Sequence, residues 1–265
     1  MTGIKQLSHF TYQQAMSCLF PAVIFLTLAL SKQISWTFFH RYDFILLVCL
    51  AMQVIMLVTG LETKDELKVI LLFHLLGLLL ELFKVQSGSW SYPEPAWSKV
   101  AGVPLYSGFM YASVASYLCQ AWRRLRVQLI HWPKLGWTIS LATLIYLNFF
   151  THHYIVDLRW GLMGALVLVF FRSHVRFVVS GTTYRMPQVL SYFLIGFFIW
   201  VAENIATYFG AWQYPYQREA WQIVDLGKLS SWFLLVIVSF IIVAQLKQSS
   251  TKVKSGDVSS SSLAS

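Results

Sequence analysis

Residues 81–93 read ELFKVQSGSWSYP, and residues 203–215 read ENIATYFGAWQYP. A single shift of 122 residues lays Glu81 on Glu203, Gly88 on Gly210, Trp90 on Trp212, Tyr92 on Tyr214 and Pro93 on Pro215. Matches of this kind at one offset mark an internal duplication. Each copy closes an apolar run. The glycine permits a turn, the proline biases the preceding tyrosine away from helix, and Trp and Tyr favour the membrane–water interface. An aromatic anchor would explain everything except the acid nine residues before each tryptophan.

Outward from these copies the chain is apolar almost throughout. Of 265 residues, 57% are hydrophobic, 17% aromatic and 12% charged. Soluble domains carry about 25% charge, so the composition marks a membrane protein and excludes a secreted disulfide scaffold, a nucleic-acid-binding domain and a disordered chain. Runs of spanning length lie at about 12–30, 42–60, 67–83, 104–122, 135–151, 157–172, 188–210 and 226–246. The expected fold is therefore all-α: a polytopic membrane bundle of about eight transmembrane helices. An offset spanning four of them, an even number, leaves both halves in the same orientation. The expected layout is one integral membrane domain, 1–246, made of parallel half-repeats at about 1–122 and 123–246. The Ser-rich segment 247–265 is too polar to bury a core and reads as a disordered cytoplasmic tail.

The net charge of +9 comes from short basic clusters between apolar runs, which suit topology and anionic lipid rather than nucleic acid. Thirteen Lys and Arg fall on the side of Lys5, Lys64 and the 123–134 and 172–185 clusters, and seven on the side of Lys32, Arg41, Lys84 and Arg159. That bias places both termini in the cytoplasm. Cys18, Cys49 and Cys119 each sit inside an apolar run and read as core residues.

The candidate site follows from acids in the wrong solvent. Glu203 lies in FFIWVAENIATYFG, with no basic residue between Arg185 and Arg218. A carboxylate there should face the bundle interior or take up a proton. Glu81 has Lys84 three residues on as a possible partner, and His74 shares its helix face. Glu81 and Glu203 are the candidate catalytic acids, and His74, Trp90, Tyr92, Asn204, Trp212 and Tyr214 the candidate substrate-binding residues. Two further outer clusters hold Asp43 and Asp157, each placed to cap a helix. His152, His153 and Asp157 raise the question of a metal; without an HExxH or comparable pattern, neither metal nor cofactor is expected.

The runs HRYDFILLVCLAMQV, ETKDELKVI, LIHWPK, YLNFFTHHYI, GTTYRMP and LGKLSSWFLLVIVSFIIVAQLK, together with the two copies above, resemble the bacterial membrane family catalogued as domain of unknown function 817. The resemblance covers nearly all of the chain except its tail and implies a multi-pass protein of the bacterial cytoplasmic membrane. It carries no catalytic residues over. At motif level, Glu81, GSWSYP and GVPLYSG (102–108) look like the pattern of membrane carotenoid hydratases, where an acid, a Gly-aromatic turn and a GVP segment recur. The second half has VDLGKLSSW at the corresponding place. Two classes of function stay open. One is an enzyme in which an intramembrane Glu protonates an isoprenoid or lipid double bond while aromatic faces stabilise the developing cation. The other is a small-solute or proton-coupled transporter using His74 and Glu203. Membrane lipids and a lipophilic or small-molecule ligand are the expected partners, and nucleic acid is not. The sequence leaves the oligomeric state open. On this topology, a cysteine introduced beside Tyr92 should react with an impermeant maleimide from the outer side only; labelling from the cytoplasm alone would invert the orientation.

Overall fold

The computed structural model describes residues 3–261, with side chains through Lys247. The chain runs α1 (Gly3–Ser17), α2 (Leu19–Ser31), α3 (Arg41–Val58), α4 (Lys64–Gln86), a short β1–β2 hairpin (Lys99–Val100 and Val103–Pro104) and α5 (Tyr106–Arg124). It continues through β3 (Gln128–Ile130), α6 (Leu135–Thr151), α7 (Arg159–Phe170), β4 (His174–Val179), β5 (Thr182–Pro187), α8 (Gln188–Tyr208) and α9 (Gly227–Ser261). Apart from Lys247, the expected tail at 247–265 lies outside the residues whose side chains are described.

Among the described residues, α3, α4, α8 and the stretch Gly227–Lys247 of α9 are long and apolar enough to cross a membrane. The protein is a predominantly helical membrane protein. The first expected span, 12–30, is broken: α1 and α2 meet at Cys18 with a 68° bend. The reason is Pro21, which has no N–H to give the Ser17 carbonyl and whose ring crowds it, so the helix stops at Ser17 and restarts with proline in its first turn. The helices α6 and α7 are apolar but only 17 and 12 residues long. The helix α5 is lined with Gly, Ala and Ser and is buried along most of its length by other helices, so it needs no apolar outer face.

The all-α expectation is corrected at one end of the bundle. The basic runs at 123–134 and 172–185, read as head-group loops, contribute β3 and β4, and β5 completes a three-stranded antiparallel sheet in the order β3-β4-β5. The sequence HVRFVVSGTTYRMP has strand-forming residues on either side of Ser180 and Gly181, whose φ values of +49° and +80° make the tight turn that a twisted hairpin favours. The amphipathic α1 covers this sheet, with Phe10 against Phe177 at 5.8 Å and Tyr184 donating to Gln6 at 2.7 Å.

The opposite end is organised by the two sequence copies. Both α4 and α8 end in the same Schellman turn: Ser89 N donates to Lys84 O (2.9 Å) and Gly88 N to Val85 O (3.1 Å), as Ala211 N does to Ala206 O (2.9 Å) and Gly210 N to Thr207 O (3.0 Å). The φ of both Gly88 and Gly210 is +72°. The two loops then touch in an antiparallel bridge, in which Ser91 and Gln213 exchange N–H···O bonds of 2.9 Å each. Buried Arg41 ties the same region together, donating to Ser31 Oγ (3.0 Å), Leu28 O (3.1 Å), Phe209 O (2.5 Å) and Glu94 (2.5 Å). At the sheet end, Thr63 and Glu66 form a capping box at the start of α4, and Glu66 also receives Lys247 (2.5 Å) and Arg123 (3.1 Å).

Replacing Gly88 or Gly210 by Ala should each cost about 1–2 kcal/mol, the penalty of a left-handed L-residue. An added Cβ meets nothing within 4 Å at Gly88 and, at Gly210, Arg41 Nη1 at 3.5 Å and Glu94 Oε1 at 3.8 Å, both ordinary contacts. Denaturant titration of detergent-solubilised protein reads the loss; an unchanged midpoint at both positions would mean the turns do not constrain the fold.

Candidate functional site

The two acids of the duplicated motif are both inside the protein. Glu81 is 5% exposed and Glu203 3%. Trp90 Nε1 and the Tyr92 hydroxyl both donate to Glu81 Oε2 at 2.7 Å, and the Tyr111 hydroxyl donates to Oε1 at 2.8 Å. The spacing of the motif explains the first two: after α4 stops at the Gly88 turn, the chain doubles back and brings residues nine and eleven positions on to the acid. Glu203 receives the Tyr214 hydroxyl at the corresponding spacing, but its second donor is Trp232 Nε1 from α9. An indole N–H can only donate, so each carboxylate is held as an acceptor by neutral partners.

Around these acids lie cations from three helices. Lys84 does not pair with Glu81. Its Nζ lies 2.9 Å from His153 Nε2 and 3.4 Å from His152 Nε2. His152 Nδ1 is 2.9 Å from the carbonyl oxygen of Asn148, which sets the ring proton on Nδ1 and leaves Nε2 to accept. Lys228, one residue into α9, lies over the rings of Trp90 (5.3 Å) and Tyr214 (4.8 Å). Arg159 pairs with Asp157 at 3.2 Å and donates to Ser230 at 3.1 Å.

A cavity of about 870 Å³ connects these groups to the apolar middle of the bundle. Its polar end is lined by Glu81, Glu203, Lys84, Arg159 and Lys228, and its far end by Phe10, Val127 and Phe177 near the sheet. Of the expected site residues, Glu81, Trp90, Tyr92, Glu203, Trp212 and Tyr214 all line it. His74 and Asn204 do not line it. His74 packs on Phe109 at 4.4 Å, filling the space left by the missing side chain of Gly108. Asn204 is consumed structurally, donating to Trp200 O and accepting from Val224 N, both at 2.8 Å, so it pins the α8–α9 loop to α8. Asp157 accepts from Arg159 N (2.9 Å) and from Asn148 (3.1 Å), while His152 and His153 turn to Lys84. These three do not form a ligand set. Asp43 accepts from Trp97 N and Ser98 N, at 2.8 and 2.9 Å, and so holds the loop before α5. Sequence reading missed Tyr111, Trp232 and Lys228 because each reaches the site from a helix outside the copies. The signal was present for Lys228, a lone cation at the head of an apolar run.

Fold and cavity together define a polytopic helical membrane protein with a polar site at one end of an internal apolar chamber. The family model described as a protein of unknown function (DUF817) matches residues 6–240, and the chain belongs to that family. It is 63% identical over 248 residues to the uncharacterised protein YoaT of Bacillus subtilis (strain 168), covering 94% of each chain. Among solved structures it is similar to a cross-linked MvINS trimer, with a TM-score of 0.48 and 13% identity over 70% of this chain and 95% of that one. A second is the mycobacterial Insig homologue MvINS from Mycobacterium vanbaalenii, with a TM-score of 0.47 and 13% identity over 69% and 93%.

Burial holds the His152 and His153 imidazoles below the ordinary histidine range; at His152 the hydrogen bond to the Asn148 carbonyl works against it, and the Lys84 ammonium lowers both. A base so depressed binds fewer protons folded than unfolded. The penalty is absent above about pH 6.5 and grows as pH falls below it. Arg159 and Lys228 add to it, and Asp157 opposes it at His152. The melting temperature should fall between pH 7.5 and 5.5, and fall less in the His152→Gln/His153→Gln double variant. Equal falls would remove these histidines from the acid response.

Proposed function

We propose that the protein holds a long lipophilic molecule inside the bundle and acts on it at the carboxylate end. The observation that carries this reading is the cavity: its walls are apolar over most of its length, and both buried acids lie at one end. Glu81 has three donors and Glu203 two. Glu203 therefore keeps more capacity to exchange a proton with a bound molecule. As a general acid, protonated Glu203 would add its proton to one carbon of an isoprenoid or lipid double bond, the faces of Trp90, Trp212 and Tyr214 would stabilise the cation, and loss of a neighbouring C–H proton to the Glu203 carboxylate would give the isomerised alkene and restore the acid.

The frame for this chemistry is a bundle of two parallel four-helix halves in the bacterial cytoplasmic membrane, with both termini cytoplasmic. Several features support it. Ser91 and Gln213, which pair across the two loops, are themselves 122 residues apart, as a twofold axis through the bridge requires. The neighbours α2–α3, α4–α5, α2–α5 and α3–α5 recur as α6–α7, α8–α9, α6–α9 and α7–α9. Between halves, α4 touches α6 as α8 touches α2. The alternative of a small-solute or proton-coupled transporter draws less support, because His74 lies away from the cavity and the far end of the cavity is apolar.

Lipid extracts of membranes overproducing the wild type should contain a lipophilic product that falls to the vector level with Glu203→Gln, while the variant accumulates and folds normally. The isosteric amide can still accept from Trp232, and the Tyr214 hydroxyl can turn to accept from it. Identical extracts from wild type and variant would remove the catalytic role. Proton-dependent uptake of a soluble solute into proteoliposomes would favour transport instead.

A further inference from the structure

We infer that the polar end of the cavity is a seat for a multiply charged anionic group, a phosphate monoester or diphosphate, carried on the long chain that fills the apolar part. This rests on the reading of the cavity as a lipophile site and adds the chemistry of the ligand's head.

The argument starts from Lys84. Its side chain is 5% exposed, yet no carboxylate lies within 4 Å of its ammonium among the described residues. Its hydrogen-bond partners are two imidazole nitrogens, and the tautomer that Asn148 imposes on His152 makes that ring a neutral acceptor. Among the described residues Lys228 likewise has no carboxylate within 4 Å, and it faces two aromatic rings. These two ammoniums and the Arg159 guanidinium line the same cavity and lie close enough to repel one another. Arg159 has Asp157, so two ammoniums at this mouth are left without a carboxylate in contact among the described residues, and an anion shared between them offsets their repulsion.

Of the acids nearby, Asp157 pairs with Arg159, while Glu203 acts on Lys228 and Asp157 on Lys84 only from beyond 4 Å. Glu81 and Glu203 are turned to indole and phenol donors, and Asp157 to Arg159 and Asn148. A single carboxylate would leave part of the cluster unmatched, whereas a phosphate monoester or diphosphate carries two or more charges and several acceptor oxygens.

The duplication sharpens the point. The position 122 residues before Lys228 is Tyr106, which is fully buried and donates to the carbonyl of Ala211. In the first half that position seals the loops together. Its counterpart in the second half presents a cation to the cavity. The volume makes the same case, because about 870 Å³ far exceeds what an inorganic anion occupies and continues between apolar walls.

Binding to the full-length protein in nanodiscs tests this, read by tryptophan fluorescence, with farnesyl diphosphate, farnesol and inorganic diphosphate as probes. Farnesyl diphosphate should bind saturably and at least tenfold more tightly than either farnesol or inorganic diphosphate. Lys84→Gln and Lys228→Gln should each weaken farnesyl diphosphate about tenfold and leave farnesol unchanged, and Lys228→Arg should retain most of the affinity. Unchanged farnesol binding serves as the check that the Gln variants are folded. Equal binding of the alcohol and the diphosphate, with no effect of the Lys variants, would overturn the anion seat and leave the lipophile site standing. Inorganic diphosphate binding as tightly as the farnesyl ester would overturn the chain-bearing ligand in favour of a free anion. Failure of all three probes to bind would overturn both readings.

Discussion

Two carboxylates buried in a membrane bundle must find donors within the protein, and much of the architecture at their end of the bundle follows from that requirement. Leaving even one such group unsatisfied in an apolar medium costs several kcal/mol. Helices cannot supply the donors alone, because their own N–H groups are spent. The chain after α4 and after α8 therefore turns sharply at a glycine and returns an aromatic side chain to the acid it has just passed. Once both loops fold inward they meet, and the Ser91–Gln213 bridge joins them across the middle of the protein.

The same logic explains Arg41. Its guanidinium is buried and satisfied by carbonyls from α2 and the end of α8, with Glu94 as its ion-pair partner. It joins elements far apart in sequence at the edge of the loop pair. At the sheet end Glu66 plays a comparable part, since one carboxylate caps α4 and also receives cations from α5 and α9. Between the two ends the helices meet through small residues and aromatic rings, and a chamber remains open along the interior.

The two loops share a glycine turn and differ in the chemistry around their acids. Glu81 is closed in by two residues of its own motif and by Tyr111, whereas Glu203 borrows its second donor from α9. Tyr106 is a sealed hydroxyl; its counterpart Lys228 is a cation over two rings. The two buried acids therefore sit in different surroundings.

What the sequence determined by itself was the membrane class, the family and the acid, glycine, tryptophan and tyrosine that act together. Those residues were legible because they are local: a turn returning a side chain to an acid nine to eleven positions back depends on spacing along one chain. The bend at Cys18 and the three-stranded sheet were hidden, because apolar content alone does not reveal where a helix breaks or whether basic runs pair as strands. The placing of His74 and Asn204 outside the cavity, and of Tyr111, Trp232, Lys228 and the Lys84–histidine contact within or beside it, belonged to tertiary structure alone. Each depends on which face of one helix meets another. Helix faces a few residues apart look alike in an apolar sequence, and only packing decides which of them closes on a neighbour and which opens onto the chamber.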